Sequence, residues 1–107
     1  MRWTINYYNQ QVVDEVARWP SKMQAKYLRT LDLIERHGPK LGPPLTKALK
    51  NGLFEIRIKA QEGTGRAFFC YRTGNEIIIL HLFAKKTQKI PKKELDIAKK
   101  RMKEVMS

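Results

Sequence analysis

The sequence predicts an α+β domain in which a strand and a helical hairpin pack on an antiparallel sheet and a last helix ends the chain. Three observations predict this fold class. Apolar residues recur at helical spacing between residues 21 and 37, and they alternate with polar residues between residues 53 and 59. The uninterrupted apolar run at residues 77–80 is typical of a strand covered on both faces. A chain of 107 residues suffices for one domain, residues 1–107.

The first part of the chain predicts one strand and two helices. Residues 3–7 alternate apolar and polar side chains, as a strand does. Asn9 can cap a first helix that runs to about Trp19, directly before a proline. Ser21 opens a second helix, with Gln24 at the spacing of a capping box. The apolar face of this second helix, which must be buried, consists of Met23, Tyr27, Leu31 and Ile34.

The second helix is expected to end at Gly38, which can take the left-handed conformation, and a proline-rich connection follows over residues 39–45. Turns are predicted at residues 63–65 and 74–75, where glycines cluster. Such short turns make sequential strands antiparallel neighbours. The three strands that these turns join are predicted over Leu53–Lys59, Arg66–Arg72 and Glu76–Phe83.

Pro91 can begin a final helix, because the first turn of a helix tolerates proline. Ile90 precedes it where a capping side chain would be stabilising, so a loose start is expected. We expect the helical hairpin to cover one face of the sheet and to leave the other face partly open. The apolar stripe of the final helix consists of Leu95, Ala98, Met102 and Val105.

Net charge is the most informative bulk property of the chain. Twenty-two Lys and Arg stand against ten Asp and Glu, which gives a formal net charge of +12. Charge of one sign repels itself in a compact state, and a polyanionic partner relieves that repulsion. A membrane surface is a weaker explanation, because the small core needs the apolar stripe of the basic final helix. We therefore expect a nucleic acid or another acidic partner.

Several classes of protein are not supported by the sequence. Cys70 is the single cysteine, which predicts neither a disulfide framework nor a cysteine-based metal site. No apolar run approaches the roughly 20 residues that span a bilayer, and the first residues do not resemble a signal peptide. The acidic residues form no cluster that would suit a two-metal nuclease. The sequence thus predicts a cytoplasmic protein without metal or cofactor.

Strand alternation groups residues on the face that the hairpin leaves open. With Glu55 and Arg57 facing outward, the opposite class, which includes Ile56, packs under the helices. If the strands align as expected, arginines and aromatic rings converge there, with Lys85 and Lys86 at the edge. Single-stranded RNA needs this combination of guanidinium groups and planar rings. The outward class on the other two strands is expected to be Arg66, Phe68, Cys70 and Arg72, followed by Ile77, Ile79, His81 and Phe83.

Such a surface permits RNA cleavage without a metal. The 2′-hydroxyl of RNA can serve as the nucleophile if the protein moves protons and stabilises the charge that develops on phosphorus. An arginine matches phosphate oxygens, and a lysine or histidine can transfer a proton when neighbouring cations lower its pKa. The residue types therefore allow catalysis without establishing it.

Each of these residues also has a plainer interpretation. Arg57 can simply pair with Glu55, and His81 between two leucines can be a hydrogen-bonded core histidine. Phe68 and Phe83 are aromatic residues of the kind that usually fills a core. From the residues alone, the prediction is an RNA-binding α+β domain.

A family resemblance extends this prediction. Residues 52–58 (GLFEIRI), 65–71 (GRAFFCY) and 77–91 (IIILHLFAKKTQKIP), with Lys47–Leu49, resemble the phage-related HigB branch of the RelE/ParE toxin superfamily. The resemblance implies a RelE-like fold and a ribosome-dependent messenger RNA endoribonuclease. It also implies a cognate helix-turn-helix antitoxin of the HigA type as a partner.

The resemblance also implies roles for individual residues. It implies catalytic roles for Arg57, Arg66, His81 and Lys85. RNA-binding roles follow in the same way for Lys47, Phe68, Phe83, Lys86 and Lys89.

Two other functions remain open at this stage. A ParE-like protein of this fold would inhibit DNA gyrase and cut nothing, and it would not need the arginines and His81 together with FAKKTQKIP. A non-catalytic phage RNA-binding accessory protein would bind RNA without arresting growth.

Overall fold

A computed structural model describes residues 2–85 and 89–107 and shows a five-stranded mixed sheet with three helices. The strand order is β1-β5-β4-β3-β2, and the strands from β5 to β2 are successively antiparallel. The strands are β1 (Thr4–Tyr7), β2 (Thr46–Ala48), β3 (Phe54–Ala60), β4 (Gly63–Arg72) and β5 (Glu76–Lys85). The helices are α1 (Gln10–Arg18), α2 (Ser21–His37) and α3 (Lys92–Met106).

The predicted α+β class and order of elements are confirmed, but the sheet is mixed rather than antiparallel. β1 runs parallel to β5, with Ile5 opposite Ile77 and Tyr7 opposite Ile79. The helical hairpin between β1 and the rest of the sheet provides the crossover that a parallel pair requires. The short β2 was not predicted, and it pairs with β3 at the opposite edge.

The helix ends follow the predicted signals in part. Asn9 caps α1 as expected, because its side-chain oxygen accepts a hydrogen bond from the Val12 N–H at 3.0 Å. The predicted capping box of α2 is wrong. Pro20 occupies the N-cap position, and the Gln24 amide donates instead to the carbonyls of Ala17 and Trp19, at 3.2 and 2.7 Å.

Two further expectations, both about glycines, are wrong. Gly38 ends α2 with φ of 92° and ψ of 178°, which lies outside the left-handed helical region that was expected. Gly63–Gly65 is not a turn, because the chain reverses at residues 61 and 62 and both glycines lie in β4. A side chain at Gly65 would meet the Trp19 ring, since a Cβ would lie 2.7 Å from its Cη2 atom.

The larger part of the core lies between the helical hairpin and one face of the sheet. The predicted apolar face of α2 is confirmed, because all four of its residues are buried. The inward class predicted for β3 is also confirmed. The sheet residues in this core are Phe54, Ile56, Ile58, Ala67, Phe69, Ile77, Ile79 and Leu82.

The opposite face of the sheet is half covered by α3. The predicted stripe of α3 packs there against Leu53, Phe68, Cys70, Ile78 and Leu80. No side chain caps its first turn, as the sequence suggested. None of the helices in the described ranges combines the length and apolar character needed to cross a bilayer. Several of the predicted site residues lie on this same face, and two of them, Phe68 and Phe83, belong to the core under α3.

Candidate functional site

A group of charged side chains lies on this face of the sheet, on β3, β4 and β5. Arg57 on β3 lies opposite Arg66 on β4, which lies opposite Phe83 on β5. Two residues away on each strand, Lys59, Thr64 and Lys85 form a second row of opposite residues. Opposite residues on antiparallel strands share a face and lie within side-chain reach of one another. We call Glu55, Arg57, Arg66, Phe83 and Lys85 the cationic patch.

A β-bulge brings His81 onto the same face. The register of β4 and β5 shifts between Phe68 and Phe69, so that Phe68 opposes His81 while Phe69 opposes Ile79. The extra residue in β5 reverses the alternation at that point. The sequence-based grouping of Ile77 and Ile79 with His81 is therefore wrong, since both isoleucines belong to the core under the hairpin.

Glu55 connects the two arginines of the cationic patch. Its carboxylate is 1% exposed, and its Oε1 atom accepts a hydrogen bond from Arg57 Nε at 2.9 Å. Its Oε2 atom lies 3.9 Å from Arg66 Nε. The plainer interpretation of Arg57, that it pairs with Glu55, describes the first contact, whereas the approach of Arg66 to the same carboxylate was not predicted. A buried carboxylate needs such compensation by cations.

The two arginines differ in accessibility. The Arg57 side chain is 41% exposed, whereas the Arg66 side chain is 4% exposed. The expectation that both guanidinium groups lie open therefore holds for Arg57 alone. Arg66 lies beside Glu55 within the sheet surface and can act on a ligand mainly through its charge.

Lys85 combines a buried amine with neighbouring cations. Its Nζ atom is buried without a hydrogen-bond partner among the residues that the structure describes, and it lies 5.7 Å from the centre of the Phe83 ring. Burial lowers the pKa of Lys85 below its ordinary value, the charge of Arg66 lowers it further, and Glu55 opposes both. A lysine of this kind releases its proton more readily than an exposed one.

His81 is anchored to α3. Its Nε2 atom lies 3.0 Å from Glu94 Oε2, and its ring stacks on Phe83 with centres 6.0 Å apart. The side chain is 16% exposed, so the plainer interpretation of a hydrogen-bonded histidine describes its contacts. The pair also gives the site an imidazole that is oriented by a carboxylate, which is an arrangement suited to proton transfer.

The remaining predicted RNA contacts fall in different environments. Phe68 is fully buried among the residues under α3, so no base can stack on it, and the plainer interpretation applies. Phe83 is 9% exposed and also belongs to the core under α3, so the plainer interpretation describes it as well, although its ring lies 5.7 Å from Lys85 Nζ. Lys47 on β2 and Lys89 are exposed, and Lys47 lies opposite Glu55. Lys86 lies outside the described residues.

The chemistry available at the patch is that of phosphate binding and proton transfer. Arg57 presents a guanidinium group whose Nε atom is held by Glu55, so its direction is fixed. Lys85 and His81 are residue types that can transfer protons in catalysis. Within residues 2–85 and 89–107, no three His, Cys, Asp or Glu side chains meet in a way that could hold a metal ion.

Comparisons with known proteins agree with this architecture. A family model described as phage derived protein Gp49-like matches residues 14–103. No curated protein sequence matches the chain. Three solved structures illustrate the fold, each at low sequence identity.

The structure of a mutant of the Escherichia coli toxin RelE in the free state shares 10% identity, with a TM-score of 0.70, and the match covers 95% of this chain and 99% of RelE. An archaeal RelE–RelB complex from Pyrococcus horikoshii OT3 shares 20% identity, with a TM-score of 0.60, over 78% of this chain and 96% of that one. The YoeB dimer from Staphylococcus aureus shares 23% identity, with a TM-score of 0.58, over 76% and 94% of the two chains. These likenesses show a RelE-like fold.

Proposed function

The chain belongs to the phage-derived Gp49-like family, and on this premise we propose that it is a HigB-like toxin of a type II toxin–antitoxin pair that cuts messenger RNA on the ribosome. The RelE-like fold supports this proposal. One structure of that fold is described as the toxin RelE, and others are described as toxin–antitoxin complexes from Staphylococcus aureus and Mycobacterium tuberculosis. The cytoplasm, where translation takes place, is then its place of action.

One observation carries the proposal further than the fold does. The exposed guanidinium group of Arg57 is oriented by a buried carboxylate and lies beside a lysine-bearing row of the sheet. Preorganised cations of this kind stabilise charge that develops during reaction, because they need not reorient. RNA phosphate is a ligand that fits an exposed guanidinium group next to further positive charge.

The proposed reaction uses the 2′-hydroxyl of RNA as the nucleophile. Its oxygen forms a bond to the adjacent phosphorus while the bond from phosphorus to the 5′ oxygen breaks, which leaves a 2′,3′-cyclic phosphate and a 5′-hydroxyl. Arg57 stabilises the charge on the phosphate oxygens, and Arg66 adds to the field from within the sheet surface. Lys85 and His81 are the groups proposed to exchange the two protons, one taken from the 2′-hydroxyl and one given to the 5′ oxygen. The Lys85 amine must turn outward from its buried position to reach the RNA.

The proposed partners follow from the same assignment. A net charge of +12 favours binding to the ribosome and its message. A cognate helix-turn-helix antitoxin of the HigA type would neutralise the toxin. The existence of RelE–RelB and YoeB–YefM complexes among structures of the same fold supports an antitoxin partner in general.

Primer extension on a reporter message tests the proposal. The purified chain is added with and without translating ribosomes, and cuts are expected only within the translated frame. Arg57→Gln should slow cutting by about 100-fold or more, because removing one donor to developing charge has that order of effect. Arg36→Gln is the matched control, since Arg36 is an exposed arginine that pairs with Asp32 on α2. Its rate should equal that of the unchanged chain.

Arg57→Gln and Arg66→Ala both leave the buried Glu55 carboxylate with less compensation. The fold of each variant is therefore checked by circular dichroism and by its Tm before its cutting rate is compared with that of the unchanged chain. Absence of cuts in every arm would contradict the proposal. Growth arrest with a DNA damage response would then favour gyrase inhibition, and expression without any arrest would favour a non-catalytic RNA-binding protein.

A further inference from the structure

A second basic feature lies beside the cationic patch, at the exposed edge of β3. A cleft of about 300 Å³ separates this edge from α2. The edge is open beyond Arg57, because β2 pairs with residues 54–56 and the last backbone hydrogen bond described along this edge joins the Arg57 N–H to the Leu45 carbonyl at 3.0 Å. The cleft is lined by Lys26, Arg29, Thr30, Pro44, Leu45, Arg57, Ile58 and Lys59.

The charges that line the cleft are all of one sign. It contains four cations, Lys26, Arg29, Arg57 and Lys59, and no acidic side chain. Lys26 Nζ donates a hydrogen bond to the backbone carbonyl of Lys59. Among the described residues, only Arg57 of the four forms an ion pair, and that pair is with Glu55. Cations held together in this way repel one another unless an anion lies between them.

Arg57 belongs both to the cationic patch and to the cleft. A polyanion whose phosphate contacts Arg57 at the patch can therefore continue over the edge of β3 towards α2. Lys26 and Arg29 are one helical turn apart on the exposed side of α2, so both can face the same stretch of chain. The cleft and the patch thus form one continuous cationic path.

We infer that the cleft between α2 and the edge of β3 binds the sugar–phosphate backbone of RNA next to the segment held at the cationic patch. The inference rests on the proposed function in taking RNA as the ligand. A chain of phosphates fits the cleft better than an isolated anion does, because the cations are spread from α2 to β3. Lining residues that offer charge but few aromatic rings predict contacts to phosphate and not to bases.

Salt-dependent RNA binding tests the inference. The fluorescence anisotropy of a labelled single-stranded RNA of about 12 nucleotides is followed at several salt concentrations. The RNA carries 2′-O-methyl groups, so it cannot be cut by the proposed reaction. Lys26→Gln together with Arg29→Gln should weaken binding roughly 25-fold at 0.1 M salt and reduce the slope of log K against log salt by about 1.4, because each single-strand phosphate contact contributes about 0.7.

The matched control removes the same charge from another helix. Lys99→Gln together with Lys103→Gln changes two exposed lysines one turn apart on α3, and both line a different groove, beside Tyr71 and Met106. This pair should leave the slope unchanged. Arg29→Gln alone should reduce the slope by about half as much as the double variant does. Because no contact of the Arg29 side chain within the fold is described, this single variant excludes a folding defect caused by the loss of the Lys26 contact.

Three results would overturn the inference. The first is that the α2 and α3 double variants weaken RNA binding equally, which would indicate a general effect of net charge. The others are that the α2 double variant binds RNA as tightly as the unchanged chain, or that the unchanged chain does not bind the RNA. Cutting of messages is measured separately. A chain that binds this RNA through the cleft but cuts nothing would contradict the proposed nuclease and leave the cleft assignment standing.

Discussion

At the scale of single residues, the position of Glu55 determines how the arginines can act. A carboxylate that is 1% exposed costs free energy unless cations compensate it, and Arg57 and Arg66 do so from two strands. The same contact directs Arg57 outward, where it is 41% exposed. Glu55 therefore contacts two guanidinium groups, one accessible to a ligand and one buried.

Lys85 gives a residue-scale prediction about pH. Its pKa is lowered in the folded chain by burial and by Arg66, while in the unfolded chain it returns to 10.5. Between these two values the unfolded state binds more protons, so stability rises with pH. The loss of stability caused by the charged, buried Lys85 amine is therefore complete below the pKa of the folded chain. It disappears as pH rises through that value towards 10.5.

Lys85→Met tests this prediction. We expect the variant to have the larger free energy of unfolding, measured by urea titration. Its advantage over the unchanged chain should be greatest near pH 7 and should decrease towards about pH 10. The comparison removes the titration of the other lysines, because both proteins share it. A difference that does not change with pH would contradict the prediction.

At the scale of elements, two local features set the geometry of the sheet. The bulge in β5 moves His81 onto the face that carries the cationic patch. At β4, the absence of a side chain at Gly65 lets the Trp19 ring lie against the strand, which fixes the end of α1 on the sheet. The Trp19 ring also meets Tyr27 of α2 edge to face at 5.6 Å.

Gly65→Ala is expected to destabilise the protein by about 1–3 kcal/mol, because the new methyl group would overlap the Trp19 ring in a closely packed core. Chemical denaturation measures the loss. Trp19→Phe removes the indole atoms in conflict and leaves the Met23 Cε atom, at 3.0 Å, which ends a flexible side chain. It breaks no hydrogen bond within the described residues, since the Trp19 Nε1 atom has no partner there. The double variant should therefore be more stable than the sum of the single changes, by about 1 kcal/mol. Strict additivity would mean that the ring does not carry the effect.

At the scale of the whole molecule, charge dominates. The described part of the chain has extents of 36 × 30 × 26 Å, and the full sequence carries a net charge of +12. The Debye length is about 30 Å at 0.01 M salt and about 8 Å at 0.15 M. Charges on opposite sides therefore repel one another at low salt and are screened from one another near physiological salt.

We expect the Tm to rise when sodium chloride is increased from about 0.01 M to about 0.15 M, as scanning calorimetry can measure. Lys99→Glu with Lys103→Glu changes the net charge by four units, from +12 to about +8, and should show a smaller rise. A Tm that falls with salt would mean that local ion pairs such as Arg36–Asp32 outweigh the general repulsion.

The sequence by itself determined what depends on near neighbours in the chain. The apolar face of α2, the Asn9 cap, the alternation of β3 and the stripe of α3 all follow from periodicity or from a single side chain, and each is present in the structure. Net charge requires no structure at all. Strand alternation also predicted that Arg57 and Arg66 share a face, although their register was assumed and only the structure aligns the two strands.

Only the tertiary structure decided the features that depend on residues far apart in the chain. The parallel pairing of β1 with β5 joins residues about 70 positions apart, and no local pattern specifies the direction of a four-residue strand. The bulge, the burial of Arg66 beside Glu55 and the α2 wall of the cationic cleft arise in the same way. Their physical reason is packing, since each depends on which surfaces meet when the helices close over the sheet.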